Sequence, residues 1–87
     1  MAGYINETKD FLTLLDGKGA WWTKRYSPGD EVPVSGIYRC VICKKEVTSN
    51  KKDPSPPQNH HQHASSAKIT WQLVIRADTD NEWKKGN

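Results

Sequence analysis

The 87-residue chain is 34% hydrophobic and carries a net charge of +3 at pH 7, which leaves room for one small domain with a thin core. This size excludes a second domain, and domains this small are commonly held by a metal, a disulfide or a partner chain. The charge is too modest for a polybasic arm, although residues 39–52 hold five basic residues against one acidic residue.

The sequence predicts neither a secretory signal peptide nor a membrane segment. The N-terminal residues have no basic segment followed by an apolar run, so we expect no secretory signal peptide. No apolar stretch approaches the roughly 20 residues that cross a bilayer, so we expect no membrane segment. We therefore expect a cytoplasmic, reducing location, where a Cys-x-x-Cys pair more often binds metal or is catalytic than forms a structural disulfide.

The N-terminal residues 1–19 are predicted to form a helix and a linker. Asn6 or Thr8 can cap the first turn of a helix, and Gly17 suits the left-handed position after its last turn. An amphipathic helix over residues 5–16 fits this frame. Its apolar residues are Ile5, Phe11, Leu12, Leu14 and Leu15.

Residues 20–36 are predicted to be extended, with one turn. Ala20 to Thr23 has the composition of a strand start. In Ser27-Pro28-Gly29-Asp30, proline presets φ and glycine tolerates the positive φ of a type II turn. The prolines near Val32 to Gly36 favour the edge of a sheet.

The second half of the chain predicts a hairpin, a long loop and a final strand. Residues 37–42 and 46–48 are the arms of the hairpin, and Cys40-Val41-Ile42-Cys43 is its tip. Residues 69–75 are the best strand, because they are β-branched, aromatic and uninterrupted. The remaining segments are a Pro/His loop at 49–67 and a polar tail at 77–87 with a weak helix around Trp83. Together these elements predict a small β-rich (α+β) domain, with a ribbon-like antiparallel sheet and a short N-terminal helix, whose core is residues 20–76.

All the cysteines and histidines of the chain lie in two short clusters. Cys40 and Cys43 have a spacing that lets two thiolates meet one ion from a single turn, and a structural zinc takes four such ligands. His60 and His63 have the same spacing and are the preferred second pair, with His61 as the alternative to His60. The pattern predicts one zinc per chain.

Other interpretations of the two clusters remain open. The cysteines could be a redox dithiol or two unrelated small residues, and the histidines an exposed polar stretch that binds metal adventitiously. A catalytic zinc is disfavoured, because it keeps a position open for water beside a carboxylate and only Asp53 lies near the histidines in sequence. The spacing of Gly17 and Gly19 does not match a phosphate loop. We assign no catalytic residue.

The middle of the chain resembles a group of short bacterial proteins. They share a P-G-D turn, then S-G-x-Y, in some members with C-x-x-C, followed by an acidic residue with threonine and by Pro-Pro. It is similar also to zinc ribbons, whose G-x-Y-x-C-x-x-C pattern precedes Pro-Pro and a second C-x-x-C. The resemblance covers residues 25–75 and implies the fold and metal at Cys40 and Cys43, but no activity. The second cysteine pair is replaced by the residues around His60 and His63, which are implied as ligands by position alone.

Trp21 and Trp22 lie among basic residues and resemble the stacking platforms of single-strand binders. The structural alternative is that one ring of the pair fills the core opposite Trp71 while the other faces outward, as alternation along a strand requires. Lys44 and Lys45 follow the cysteines closely. The predicted binding surface is therefore Trp21, Trp22, Lys44 and Lys45.

Two functions from different classes fit these features. The first is a binding module in which zinc is structural and the tryptophan and lysine surface docks a macromolecule; a protein partner is favoured over weak, electrostatic nucleic-acid binding. The alternative is a small metal-dependent or dithiol redox enzyme that uses Cys40 or Cys43.

Overall fold

The computed structural model describes residues 1–55 and 68–79. Within this part there are three strands, β1 (Gly36–Cys40), β2 (Glu46–Ser49) and β3 (Trp71–Arg76), and single 3-10 turns at Lys9–Phe11 and Ala20–Trp22 precede them. The strands form one antiparallel sheet in which β1 lies between β2 and β3. The predicted small β-rich domain is confirmed.

The central hairpin and the last strand agree with the prediction from sequence. β1 and β2 pair from Gly36 with Ser49 to Arg39 with Glu46, and the cysteine segment connects them. The Ser27–Asp30 turn is also confirmed. The Asp30 N–H donates to the Ser27 carbonyl at 3.0 Å, and Gly29 has φ +88°, the positive value that a type II turn requires at its third residue.

The core lies on one face of the sheet and is built around aromatic rings. Trp71 is fully buried, and the rings of Tyr26 and Tyr38 meet edge to face with centroids 5.7 Å apart. This geometry is the favoured one for aromatic pairs. The other buried hydrophobic residues are Val32, Val34, Cys40, Ile69 and Leu73.

A bulge in β3 changes which residues of the strand face outward. Ile37 pairs with Ile75 and Tyr38 pairs with Leu73, so Val74 is the extra residue. Gly36 opposes Arg76 next to this bulge, and a Cβ at Gly36 would collide with the Ile75 carbonyl oxygen. The S-G-x-Y pattern therefore requires glycine at this position, because the Ile75 backbone lies too close for a side chain.

The N-terminal helix is far shorter than predicted, since only Lys9–Phe11 form a 3-10 turn. The Thr8 hydroxyl donates back to the Ile5 carbonyl at 3.1 Å and makes no capping bond to the turn that follows. Phe11 and Leu14 are 81% and 98% exposed, so the apolar face of residues 5–16 is not packed. Short helices depend on such packing, which explains the missing turns.

The predicted strand start at Ala20 to Thr23 is wrong, because Ala20–Trp22 form a 3-10 turn. Trp21 and Trp22 are both half-buried and both pack against the core, so they do not alternate between core and solvent. The Trp21 ring covers Gly19, where a Cβ would collide with it, and the Arg76 guanidinium lies 5.0 Å from the ring centroid. These contacts fix the ring on one side of the sheet.

A buried serine joins the Ser27–Asp30 turn to the start of the long loop. The Ser55 hydroxyl lies 2.8 Å from the carbonyl oxygens of both Ser27 and Asp30. The backbone adds two bonds, from Gly29 N–H to the Ser55 carbonyl and from Ser55 N–H to the Asp30 carbonyl. Residues 56–67 of the predicted Pro/His loop and residues 80–87 of the tail, with the predicted helix around Trp83, lie outside the described residues.

The Tyr38 hydroxyl is expected to stabilise the core, because it donates to the Val34 carbonyl at 2.6 Å in a buried position. Burial, reinforced by the neighbouring Tyr26, raises the pKa of Tyr38 to about 12, so the hydroxyl stays protonated at neutral pH. Tyr38→Phe should lower the free energy of unfolding by about 1–2 kcal/mol, seen as a lower Tm. Tyr4→Phe, at a side chain that is 65% exposed, is the matched control. Equal Tm values for the two variants would contradict this role.

Candidate metal-binding turn and basic cleft

The Cys-x-x-Cys segment is a tight turn that is closed by backbone hydrogen bonds. Cys40 is the last residue of β1, and its N–H donates to the Lys45 carbonyl at 2.8 Å. The Lys44 N–H donates in return to the Cys40 carbonyl at 2.9 Å. Lys44 has φ 68°, a left-handed conformation that lets the chain reverse directly after Cys43. The predicted hairpin tip at Cys40–Cys43 is thus confirmed.

The two thiols of this turn have different surroundings. Cys40 is fully buried, whereas Cys43 is exposed. Burial acts to raise the pKa of the Cys40 thiol, but hydrogen bonds from the backbone of Cys43, Thr70 and Ile42 and from the Cys43 side chain outweigh it and lower the pKa. Hydrogen bonds of this kind favour the thiolate, which is the form that binds metal.

The chain returns to this turn just before the last strand. Val41 N–H donates to the Thr70 carbonyl at 2.9 Å, and Cys40 pairs with Trp71. Residues 68–70 therefore lie beside the cysteine turn. The segment that contains the histidines ends directly upstream of them in sequence.

The predicted histidine ligands His60, His61 and His63 lie outside the described residues. Within residues 1–55 and 68–79, no three His, Cys, Asp or Glu side chains come together as a metal-binding group. The structure therefore provides one half of the predicted ligand set, Cys40 and Cys43, and this half has the donor chemistry of a zinc site.

A cleft of about 560 Å³ opens on the sheet face opposite the core. The charged side chains that line it, among the described residues, are Arg25, Arg39 and Lys44, and Gln72 contributes an amide. Arg39 pairs with Gln72 across the sheet, and Arg25 precedes Tyr26, whose backbone exchanges two 2.8 Å hydrogen bonds with Trp71. Strand alternation therefore brings Arg25, Gln72 and Arg39 to the same face.

The four residues of the predicted binding surface do not all line this cleft. Lys44 lines it, and Lys45 is exposed nearby. The tryptophans are held by other contacts: the Trp22 carbonyl accepts a hydrogen bond from Gln72 Nε2 at 3.2 Å, and the Trp21 ring lies against Arg76. The sequence-based surface omitted Arg25 and Arg39, although Arg39 belongs to the basic stretch 39–52 and its place on a strand is a signal for a shared face.

Fold and site together define a small β-rich protein with a Cys-x-x-Cys turn at the tip of its central hairpin. The chain is 55% identical over 82 residues to the protein named Protein L from Escherichia coli, and the match covers 94% of each chain. The chain belongs to the family of that bacterial protein. No protein-family model matches the chain, and no solved structure matches it either.

None of the helices within residues 1–55 and 68–79 has the length and apolar character that a membrane crossing requires.

The left-handed backbone at Lys44 gives a prediction about the stability of the turn. A side chain in this region costs about 1–2 kcal/mol relative to glycine, and the greater freedom of glycine in the unfolded chain offsets part of that gain. Lys44→Gly should therefore raise the Tm. Lys45→Gly removes the same charge at a neighbouring position without the positive φ, and it should lower the Tm. Thermal melts of both variants in the same buffer decide the point, and a lower Tm for Lys44→Gly would contradict it.

Proposed function

We propose that the chain is a small zinc-binding module of zinc-ribbon type, in which the metal is structural and the folded surface binds a macromolecular partner. The proposed ligands are Cys40, Cys43, His60 and His63, with His61 as the alternative to His60. The observation that carries the proposal is the cysteine turn, which is closed by hydrogen bonds from the Cys40 N–H to the Lys45 carbonyl and from the Lys44 N–H to the Cys40 carbonyl. A single tight turn with this spacing lets two thiolates meet one ion.

The covalent chain allows the histidines to reach the turn. Thr70 is hydrogen-bonded to Val41, and His63 lies only seven residues before Thr70 in the sequence. Seven residues span at most about 25 Å when fully extended, so the chain is long enough for His63 to contact the turn. Ser55 is fixed at the Ser27–Asp30 turn, which restrains the other end of the same segment. This arrangement supports a site that joins the loop to the hairpin.

The burial of Cys40 favours metal binding over redox exchange. In thiol–disulfide exchange a thiolate must approach the sulfur of another molecule, so access is required. Cys40, whose pKa is lowered, has 0% exposure, whereas a metal ligand can be buried completely. The second candidate function, a small metal-dependent or redox enzyme using Cys40 or Cys43, is favoured only by the exposure of Cys43.

A structural metal also fits the energetics of the fold. The described core contains eight buried hydrophobic residues, and the apolar segment around Phe11 and Leu14 is exposed. Metal binding contributes apparent values of about 10–16 kcal/mol in zinc-finger peptides, which a core of this size cannot replace. We place the protein in the reducing cytoplasm, where the thiols are available to the ion. The partner is a protein or a nucleic acid.

Metal content gives the direct test. Protein purified without a tag should contain one zinc per chain by native mass spectrometry, and a chelator should lower its Tm strongly because the ion links separate segments. Alkylation of Cys40 and Cys43 should begin only after chelator is added. A metal-free, folded sample whose Tm does not respond to chelator would contradict the zinc site. Cysteines that react at once and cycle with dithiothreitol would favour the redox alternative.

Single substitutions should rank the proposed ligands. Cys40→Ser and Cys43→Ser should abolish zinc retention, because each removes a thiolate from a four-ligand site. His63→Ala should weaken retention strongly and His61→Ala only mildly, since three histidines compete for two positions. Zinc affinity measured with a chromophoric chelator is the readout, and Gln62→Ala is the control within the same segment. If His61→Ala loses the metal and His60→Ala keeps it, then His61 is the ligand in place of His60.

A further inference from the structure

The cleft opposite the core presents two arginines on either side of one polar side chain. Arg39 on β1 lies next to Gln72 on β3, and Arg25 lies next to Gln72 on its other side through the Tyr26–Trp71 pairing. Neighbouring strands are about 4.8 Å apart, so the two arginines start roughly 10 Å apart at the backbone. Both side chains line the cleft, and Lys44 adds a third cation from the cysteine turn.

We propose that this cleft is a binding site for phosphate groups, with Arg25, Arg39 and Lys44 as the recognising side chains. A guanidinium presents a planar set of N–H donors that matches two oxygens of a phosphate, and Lys44 contributes a compact charge beside it. Gln72 is held in place by its 3.2 Å hydrogen bond to the Trp22 carbonyl, so it separates the two arginines at a fixed position.

The acidic residue that pairs with Arg39 does not line the cleft. Glu46 pairs with Arg39 across β1 and β2, but its carboxylate is 18% exposed and lies 3.8 Å from the N-terminal ammonium group of Met1. Glu46 is not among the residues that line the cleft. Three cations around one opening therefore keep a positive potential, which attracts an anion before contact is made.

Two sources of phosphate fit this chemistry, namely a free phosphate or pyrophosphate and the backbone of a single-stranded nucleic acid. A volume of about 560 Å³ exceeds the needs of one phosphate, and it lies in the range of ordinary ligand sites. The inference rests on the binding half of the proposed function and not on its metal half, because Arg25 and Arg39 are positioned by the sheet. Metal analysis and phosphate binding therefore succeed or fail separately.

The test measures binding of a short labelled single-stranded oligonucleotide by fluorescence anisotropy at low ionic strength, and of pyrophosphate by calorimetry. The variants are Arg25→Gln and Arg39→Gln. The matched control is Lys51→Gln, which removes one positive charge from the same basic stretch just beyond β2, where Ser49 pairs with Gly36 at the sheet end away from Cys40. Circular dichroism melts check that all variants fold.

We expect each arginine variant to weaken binding about tenfold, the usual effect of losing a charge-assisted hydrogen bond, and Lys51→Gln to change it much less. With the oligonucleotide, the slope of log Kd against log salt concentration should decrease by about 0.7 for each phosphate contact that is removed. Displacement of the oligonucleotide by pyrophosphate identifies a free phosphate as the better ligand, and resistance to displacement identifies the nucleic-acid backbone. Absence of binding to both probes overturns the inference. An equal loss of affinity in Lys51→Gln would also overturn it, because the binding would then be due to diffuse charge. Polyglutamate that binds as tightly as the phosphate probes would overturn it too.

Discussion

The structure depends on the burial of Trp71, because this residue has a neighbouring segment on both sides of its strand. On one edge Trp71 and Tyr26 exchange two hydrogen bonds of 2.8 Å, and on the other edge Trp71 pairs with Cys40. Its indole is fully buried, and one aromatic ring removes more apolar surface from water than most other side chains. A chain with few apolar residues thus joins its N-terminal half, the cysteine turn and the last strand at one position. Both proposed sites begin next to it, at Cys40 and at Arg25.

Elements that follow from local chemistry were predictable from the sequence. The type II turn at Ser27–Asp30 favours a proline at its second position and a glycine at its third, and the chain has both. The run that became β3 is β-branched and aromatic over several residues, which favours a strand in almost any context. The cysteine hairpin between β1 and β2 is similarly local, because its closing hydrogen bonds join Cys40 to Lys44 and Lys45.

Elements that require a packing partner were predicted wrongly or only in part. The 5–16 segment has a helical pattern, but Phe11 and Leu14 on its apolar face are exposed and the Thr8 hydroxyl donates to the Ile5 carbonyl. Trp21 and Trp22 have strand propensity, yet the space above Gly19 and the guanidinium of Arg76 determine where Trp21 lies. For the candidate sites, the spacing of the cysteines was sufficient to find the turn. The grouping of Arg25 with Arg39 was not visible, since it depends on the register of β1 with β3 and on the pairing of Tyr26 with Trp71.

The proposed metal site and the phosphate cleft share one turn, so their charges must be considered together. Two thiolates and two neutral imidazoles around a divalent zinc ion sum to zero, so a metal bound at Cys40 and Cys43 would place no net charge beside the cleft. Its effect would be conformational: it would fix the turn that carries Lys44, whose backbone already has a left-handed conformation. Fixing Lys44 next to Arg39 before a phosphate arrives removes part of the ordering cost of binding. The metal would act on the cleft through preorganisation and not through electrostatics.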